Sequence, residues 1–325
     1  MVELPQRGAV VGCGVIGAAW AARMRLRGID VAAYDPSPNA SEILDDVFAD
    51  AISAWDALGL STDHVGSLTL CASIEEAVAD AGLIQESVPE RLDIKHSTLA
   101  AIDAAAPADA IVASSTSGYK PTDLATSMTR PERLVVAHPF NPVYLLPLVE
   151  IVGGEQTSLG TIDRAMDTYR ALGMHPLHVR KEIDAFIADR LLEAVWREAL
   201  WLVNDGIATT EEIDDAIRYG FGLRWAQMGT FETYRIAGGE GGMRHFMEQF
   251  GPALKWPWTK LMDTPELTDE LIDTIAEQSD DQAAGRSIRD LAQERDRNLV
   301  AILRALESVD AGAGKTITNL RALQA

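Results

Sequence analysis

Basic side chains are scarce in this sequence, and the scarcity is uneven. Lys and Arg total 28 against 49 Asp and Glu, a formal net charge of −21. From Gly28 through Glu90 there is no Lys or Arg at all, while thirteen acidic residues occur. A field of that sign repels phosphates and anionic lipid, which argues against nucleic acid or a membrane surface as partner and favours cationic ligands. Cysteine is nearly absent too. Cys13 and Cys71 are too few for the disulfide framework of a small secreted scaffold, so a reducing cytoplasm is the expected compartment. The opening MVELPQRGAVVG has no charged-then-apolar leader, and no run approaches the roughly 18 apolar residues that would cross a bilayer. No Cys and His cluster is spaced to hold a metal, and none is expected.

What is present is the makeup of an ordinary globular chain. Its 325 residues, 47% hydrophobic and 24% charged, suffice for two domains of about 100–200 residues each. Short apolar runs at Gly8–Val11, Ile29–Tyr34, 68–70, 83–88, 110–113 and 134–137 read as strands, and the segments between them carry helical spacing. Ser73, with Glu76 three residues on, predicts a capping box at one helix start. Strands alternating with helices predict a doubly wound, largely parallel sheet. Beyond residue 183 the pattern changes. Ile187 to Val203 is one long amphipathic stretch, Thr209 with Glu212 opens another helix, and no convincing strand follows. The expected organisation is therefore α/β: a Rossmann-like domain over 1–183, then an all-helical domain over 184–325.

Gly12-Cys-Gly14-Val15-Ile16-Gly17 lies between the first strand and the first helix. In that setting Gly12 makes the tight turn, Gly14 admits a pyrophosphate close to the backbone, and Gly17 lets helix and strand pack; Val15 and Ile16 begin the helix whose N-terminal N–H groups face the anion. Asp35 ends the second strand, where a carboxylate accepts hydrogen bonds from ribose hydroxyls and repels a 2′-phosphate. NAD is the cofactor these residues predict.

Further strand ends carry chemistry. Ser114-Ser-Thr-Ser117 closes one strand, and Arg133 to Asn141 reads RLVVAHPFN, with His138 at the end of another. In Leu148-Val-Glu150-Ile-Val a carboxylate interrupts an apolar run. In a parallel sheet such strand ends open onto the ligand crevice, so His138 and Glu150 could meet as a pair.

The glycine fingerprint together with Ser114-Ser-Thr-Ser117, His138-Pro-Phe-Asn141-Pro and Leu148-Val-Glu150-Ile-Val resembles the L-3-hydroxyacyl-CoA dehydrogenase superfamily over roughly residues 7 to 235. That resemblance implies a helical dimerisation domain and a homodimer, Ser117, His138, Asn141 and Glu150 as active-site residues, and Glu90 and Lys95, with Ser117 and Asn141, near the cofactor. It also implies alcohol oxidation with His138 as base, its imidazole oriented by Glu150. Two departures stand out. Asp189 replaces an asparagine of the acyl-CoA enzymes, and Ala185 replaces a glycine. The basic-free stretch from Gly28 to Glu90 falls where those enzymes hold coenzyme A, a polyanion, which argues against that ligand.

The second half is rich in aromatic residues, which with carboxylates suit a quaternary ammonium group held by cation–π contact. The blocks Gly222 to Gly239 and Met243 to Trp258 resemble the L-carnitine dehydrogenases. This implies L-carnitine, a 3-hydroxy acid with a trimethylammonium group, as the small-molecule substrate. Phe140 and Phe250 are candidate walls for the cation, and Ala185, Ile187, Ala188 and Asp189 shape the pocket, with Arg190 or Arg224 for the carboxylate.

Overall fold

The short apolar runs do form strands, and they lie side by side in one sheet of a computed structural model that describes residues 3–238, 240, 242–250, 259–260 and 263–324. The eight strands are β1 (Arg7–Val11), β2 (Asp30–Tyr34), β3 (Leu68–Leu70), β4 (Leu83–Glu86), β5 (Ile111–Ser114), β6 (Leu134–Pro139), β7 (Leu148–Val152) and β8 (His175–Val179). Their order is β3-β2-β1-β4-β5-β6-β7-β8, and every neighbouring pair is parallel except β6 with β7. β4 and β5 are buried along their whole lengths; each begins with apolar residues, and the polar Gln85, Glu86 and Ser114 at their C-terminal ends are buried with them. β8 has no such run. It is an edge strand of sequence HPLHV with mostly half-exposed or exposed side chains, so periodicity does not reveal it.

Six helices accompany the strands: α1 (Val15–Leu26), α2 (Ala40–Leu58), α3 (Ile74–Val78), α4 (Leu92–Ala105), α5 (Pro121–Ala125) and α6 (Leu159–Ala171). Ser73 caps α3 by accepting from the Glu76 N–H at 3.2 Å. The Glu76 carboxylate reaches back one residue further than the box predicts, to the Ala72 N–H at 2.9 Å.

The remaining helices are α7 (Ala188–Asn204), α8 (Thr210–Ala216), α9 (Gly222–Trp225), α10 (Thr230–Ala237), α11 (Gly242–Phe250), α12 (Asp269–Ala283), α13 (Ile288–Ser308) and α14 (Gly314–Gln324), with one π turn at Ile217–Phe221. Thr209 and Glu212 make a reciprocal capping box at the start of α8, as their spacing predicts. Among the described residues no helix is long and apolar enough to cross a membrane.

Contacts divide the chain into two units. The first comprises Met1–Ala188 with Asp296–Arg304 and Lys315–Ala325; the second comprises Asp189–Arg295 with Ala305–Gly314. Residues beyond 184 are thus shared between units, where the sequence assigns them all to the helical domain. The physical reason lies in the tail's contacts. Arg321 donates to the carbonyls of Leu58 and Gly59 at the end of α2, both at 2.5 Å, a cation closing a helix C-terminus. Tyr144 donates its hydroxyl to Asp296 at 2.6 Å.

Candidate active site

The glycine turn follows from sterics. Gly12 has φ +92, and a Cβ there would lie 2.6 Å from the Ser87 backbone; a Cβ on Gly17 would lie 1.8 Å from the Gly12 carbonyl. Neither position accepts a side chain. Gly14 differs, because a Cβ built on it meets nothing within 4 Å. It is the N-cap of α1 and offers no side-chain cap to the first turn, leaving open space over unpaired N–H groups. Val15 is exposed and Ile16 half-buried at the rim of that space. Asp35 stands beside the turn. Its carboxylate accepts the Cys13 N–H at 2.6 Å and the Ser37 N–H at 2.7 Å. These residues fit the pyrophosphate and ribose of a dinucleotide. Burial and the Asp35 charge push the neighbouring Cys13 thiol up to about 12, so it is held as an inert thiol.

The loop after β5 is fixed by an ion cluster around a buried lysine. Lys95, 1% exposed, places its ammonium 3.0 Å from Glu86 and 3.2 Å from Glu90. It also donates to the Val88 carbonyl at 3.3 Å. Glu86 accepts from the Ser114 hydroxyl and the Val88 N–H, and Glu90 accepts from the Thr116 hydroxyl and the Gly118 N–H. Glu90 therefore ties α4 to the loop that carries Ser117, whereas Lys95 sits behind it with its bonds directed into protein. Ser117 itself is exposed on that loop.

His138 and Glu150 meet. They are direct partners in the antiparallel register of β6 and β7, so their side chains leave the same face of the sheet. Glu150 Oε2 lies 3.0 Å from His138 Nδ1, and both residues are buried. The other oxygen, Oε1, accepts the backbone N–H groups of Ile187 at 2.9 Å and Ala188 at 3.0 Å. Burying a carboxylate is costly unless its lone pairs are satisfied, and here three donors converge on it. With Glu150 accepting at Nδ1, the neutral imidazole carries its proton there, leaving Nε2 as the basic nitrogen.

Aromatic rings flank the imidazole. Phe140 packs edge-on with ring centroids 5.0 Å apart, and Phe186 lies at 5.6 Å. Sequence reasoning singles out Phe140 and misses Phe186. Asn141 follows on the same segment and is exposed. Ile187 and Ala188, expected to shape a substrate pocket, present their amides to Glu150, and Ala185 precedes them with φ +57. Asp189 opens the second unit in the first turn of α7. Arg190 and Arg224 also belong to that unit. The Phe250 side chain, and Trp256 and Trp258, lie outside the described residues. Among the described residues no group of three or more His, Cys, Asp or Glu gathers in a way that could hold a metal ion.

Residues 8–183 match the 3-hydroxyacyl-CoA dehydrogenase NAD-binding domain, and residues 186–276 match the C-terminal domain of the same family. An L-carnitine dehydrogenase of Mesorhizobium japonicum is 62% identical over 96% of this chain and 86% of its own length. One of Pseudomonas putida is 56% identical over 96% of this chain and 97% of its own. An L-carnitine dehydrogenase/betainyl-CoA thioesterase of Agrobacterium fabrum is 60% identical over 95% of this chain, but the chain spans only 63% of that protein's length. Among solved structures, a 5-formyl-3-hydroxy-2-methylpyridine 4-carboxylic acid 5-dehydrogenase superposes with a TM-score of 0.79 at 29% identity, covering 94% of this chain and 99% of that one. The (S)-3-hydroxybutyryl-CoA dehydrogenase of Ralstonia eutropha, at 24% identity and a TM-score of 0.60 over 86% of this chain and 94% of its own, shares the fold. A glycine turn shaped for NAD, a histidine and glutamate on paired strands, and matches spanning both domains lead to one assignment: this chain belongs to the 3-hydroxyacyl-CoA dehydrogenase superfamily and groups there with the L-carnitine dehydrogenases.

Proposed function

We propose that the chain oxidises the 3-hydroxyl of L-carnitine to the ketone of 3-dehydrocarnitine, with His138 as general base. The observation that carries this reading is the His138 and Glu150 pair, 3.0 Å apart at the end of β6. NAD, when bound, supplies the acceptor for the hydride that leaves the carbinol carbon. His138 Nε2 takes the hydroxyl proton as the C=O bond forms, and the resulting imidazolium is stabilised by the Glu150 carboxylate at Nδ1. Glu150 also fixes the ring, so that no proton relay or tautomer change precedes the step. Ser117 and Asn141, on loops that follow β5 and β6, orient the substrate oxygen and the nicotinamide, and Glu90 holds the Ser117 loop in place.

Carnitine is favoured over an acyl-CoA thioester by two observations. The relatives at 56–62% identity quoted above carry the carnitine activity in their names. The stretch from Gly28 to Glu90, with thirteen acids and no Lys or Arg, lacks the permanent cations that the phosphates of coenzyme A call for. Phe140, beside the His138 ring, is the wall proposed for the trimethylammonium group, and Ala185, Ile187 and Ala188 form the adjoining boundary. The enzyme would act in the cytoplasm as a homodimer, formed through helices of the second unit.

NADH formation from L-carnitine and from 3-hydroxybutyryl-CoA, measured side by side at equal concentration, decides the substrate. Turnover of carnitine alone is expected; turnover of the thioester alone would overturn the assignment.

A further inference from the structure

The segment joining β8 to α7 is pinned along its length. The Glu182 carboxylate accepts the Thr122 hydroxyl at 2.6 Å and the Thr122 N–H at 3.1 Å, and Asp184 lies 3.4 Å from the Lys120 ammonium. Immediately after Asp184 the backbone takes a conformation that side chains rarely adopt. Ala185 has φ +57 and Phe186 has φ +49, consecutive left-handed residues without a glycine between them. For a residue as bulky as phenylalanine this is an outlier that persists only where its surroundings hold it.

Two sets of contacts hold it. The Phe186 side chain is fully buried, in one hydrophobic cluster with Leu124, Leu134, Val136, Val152 and Val179, and its ring flanks the imidazole of His138 at 5.6 Å. Immediately after the elbow, the N–H groups of Ile187 and Ala188 turn together onto Glu150 Oε1. Extended or right-handed torsions at 186 would withdraw the ring from His138 and swing both amides away from Glu150.

We propose that Phe186 is a positioning residue for this dehydrogenase. Its buried ring locks the left-handed elbow, and the elbow sets His138 from both sides, through the ring and through the amides that hold Glu150. Phe186 acts through His138 and touches neither hydride nor proton. The proposal rests on the reading of His138 and Glu150 as base and orienting carboxylate.

The test uses the full-length protein and the substitutions Phe186→Leu, Phe186→Ala and His138→Ala. NADH affinity is followed by nucleotide fluorescence, kcat and KM by NADH formation from L-carnitine, and the Nδ1–H proton of His138 by NMR. Because a misplaced reactive group can cost about 10²-fold in rate, Phe186→Leu is expected to lower kcat by at least about tenfold. KM for carnitine and the NADH dissociation constant should stay within about threefold, and the Nδ1–H signal, absent in His138→Ala, should broaden or vanish. Phe186→Ala should extend the same trend. A Phe186→Leu enzyme with parental kcat and an unchanged Nδ1–H signal, beside a crippled His138→Ala, overturns the proposal and leaves the base reading intact. An increase in KM alone would make Phe186 a substrate wall, and loss of NADH binding in both variants would make it merely structural; either result also overturns it. Should His138→Ala retain parental kcat, the base reading itself falls. A parent that turns over no carnitine sinks the substrate reading and leaves the NMR signal to decide the role of Phe186.

Discussion

The two units treat charge and apolar surface in opposite ways. In the first, charged groups are taken out of water against a partner: Glu86 with Lys95 at 3.0 Å, Asp103 with Arg133 at 2.7 Å, and the Glu150 carboxylate with the His138 imidazole at 3.0 Å. Each pair is further hydrogen-bonded, as buried charges must be. In the second, ion pairs such as Asp215 with Arg218 and Asp205 with Lys260 lie at the surface. Large apolar side chains stand in solvent there, with Leu191 64% exposed, Trp196 51% and Phe231 81%. A sheet whose polar groups are satisfied internally is a rigid platform for chemistry. A helical unit that leaves such side chains in solvent is where the proposed dimer contact belongs.

If that contrast is right, the first unit should be intolerant of very small changes. Gly17→Ala is the most severe, because its methyl group would sit 1.8 Å from the Gly12 carbonyl and must push the turn open. NADH binding, followed by fluorescence titration, should be lost. Retention of parental affinity would mean that the turn has room the contacts deny. Glu150→Gln comes next. Both Glu150 oxygens are acceptors, one toward His138 and the other toward two amides, and an amide group can present an acceptor to only one side. The opposed donors displace the imidazole, and kcat should fall about 10²-fold, within the range of general-base effects. Near-parental turnover would separate Glu150 from catalysis.

These two sites differ in how they could be read beforehand. The glycine turn was legible because its constraints are local: φ +92 at Gly12 and the helix packing at Gly17 are imposed by immediate neighbours in sequence and strand. His138 and Glu150 stand out as residues, but their meeting depends on the antiparallel register of β6 with β7, which no single strand encodes. Phe186 escaped notice because it reads as one more apolar residue before an amphipathic helix, and its backbone torsion is a tertiary property. A signal did exist at its neighbour, since the family resemblance implies glycine, the residue that left-handed torsions favour, where this chain has Ala185. α13 was recognisable as helix, but its division between units follows from packing such as Tyr144 against Asp296.

In the second unit, exposed apolar residues can be replaced without a buried network to disturb. Leu191→Ser and Trp196→Ser remove side chains from the solvent-facing part of α7, so the fold of a single chain should survive. Sedimentation velocity should show the proposed dimer shifting toward monomer, with parental NADH affinity kept. An unchanged mass would place the dimer contact elsewhere and weaken the contrast between the units.

The smallest effect on turnover is expected at Asp103, far from the chemistry but within the same pattern of paired burial. Burial pushes this carboxyl upward, but the hydrogen bonds from Thr129, Arg133 and Arg130 outweigh it and hold the group at about 2. The folded value lies below the roughly 3.9 of an unfolded aspartate, so the native state binds fewer protons. Its contribution to stability is therefore present above about pH 4 and is lost as pH falls through about 2. The Tm of the parent should fall steeply across that window. Asp103→Asn cannot protonate and leaves the buried Arg133 without its counter-charge, so it should melt lower at pH 7 yet show a flatter decline below pH 4. Parallel acid slopes for parent and variant would show that Asp103 is not what the first unit loses in acid, while unchanged kcat at pH 7 would keep the pair structural.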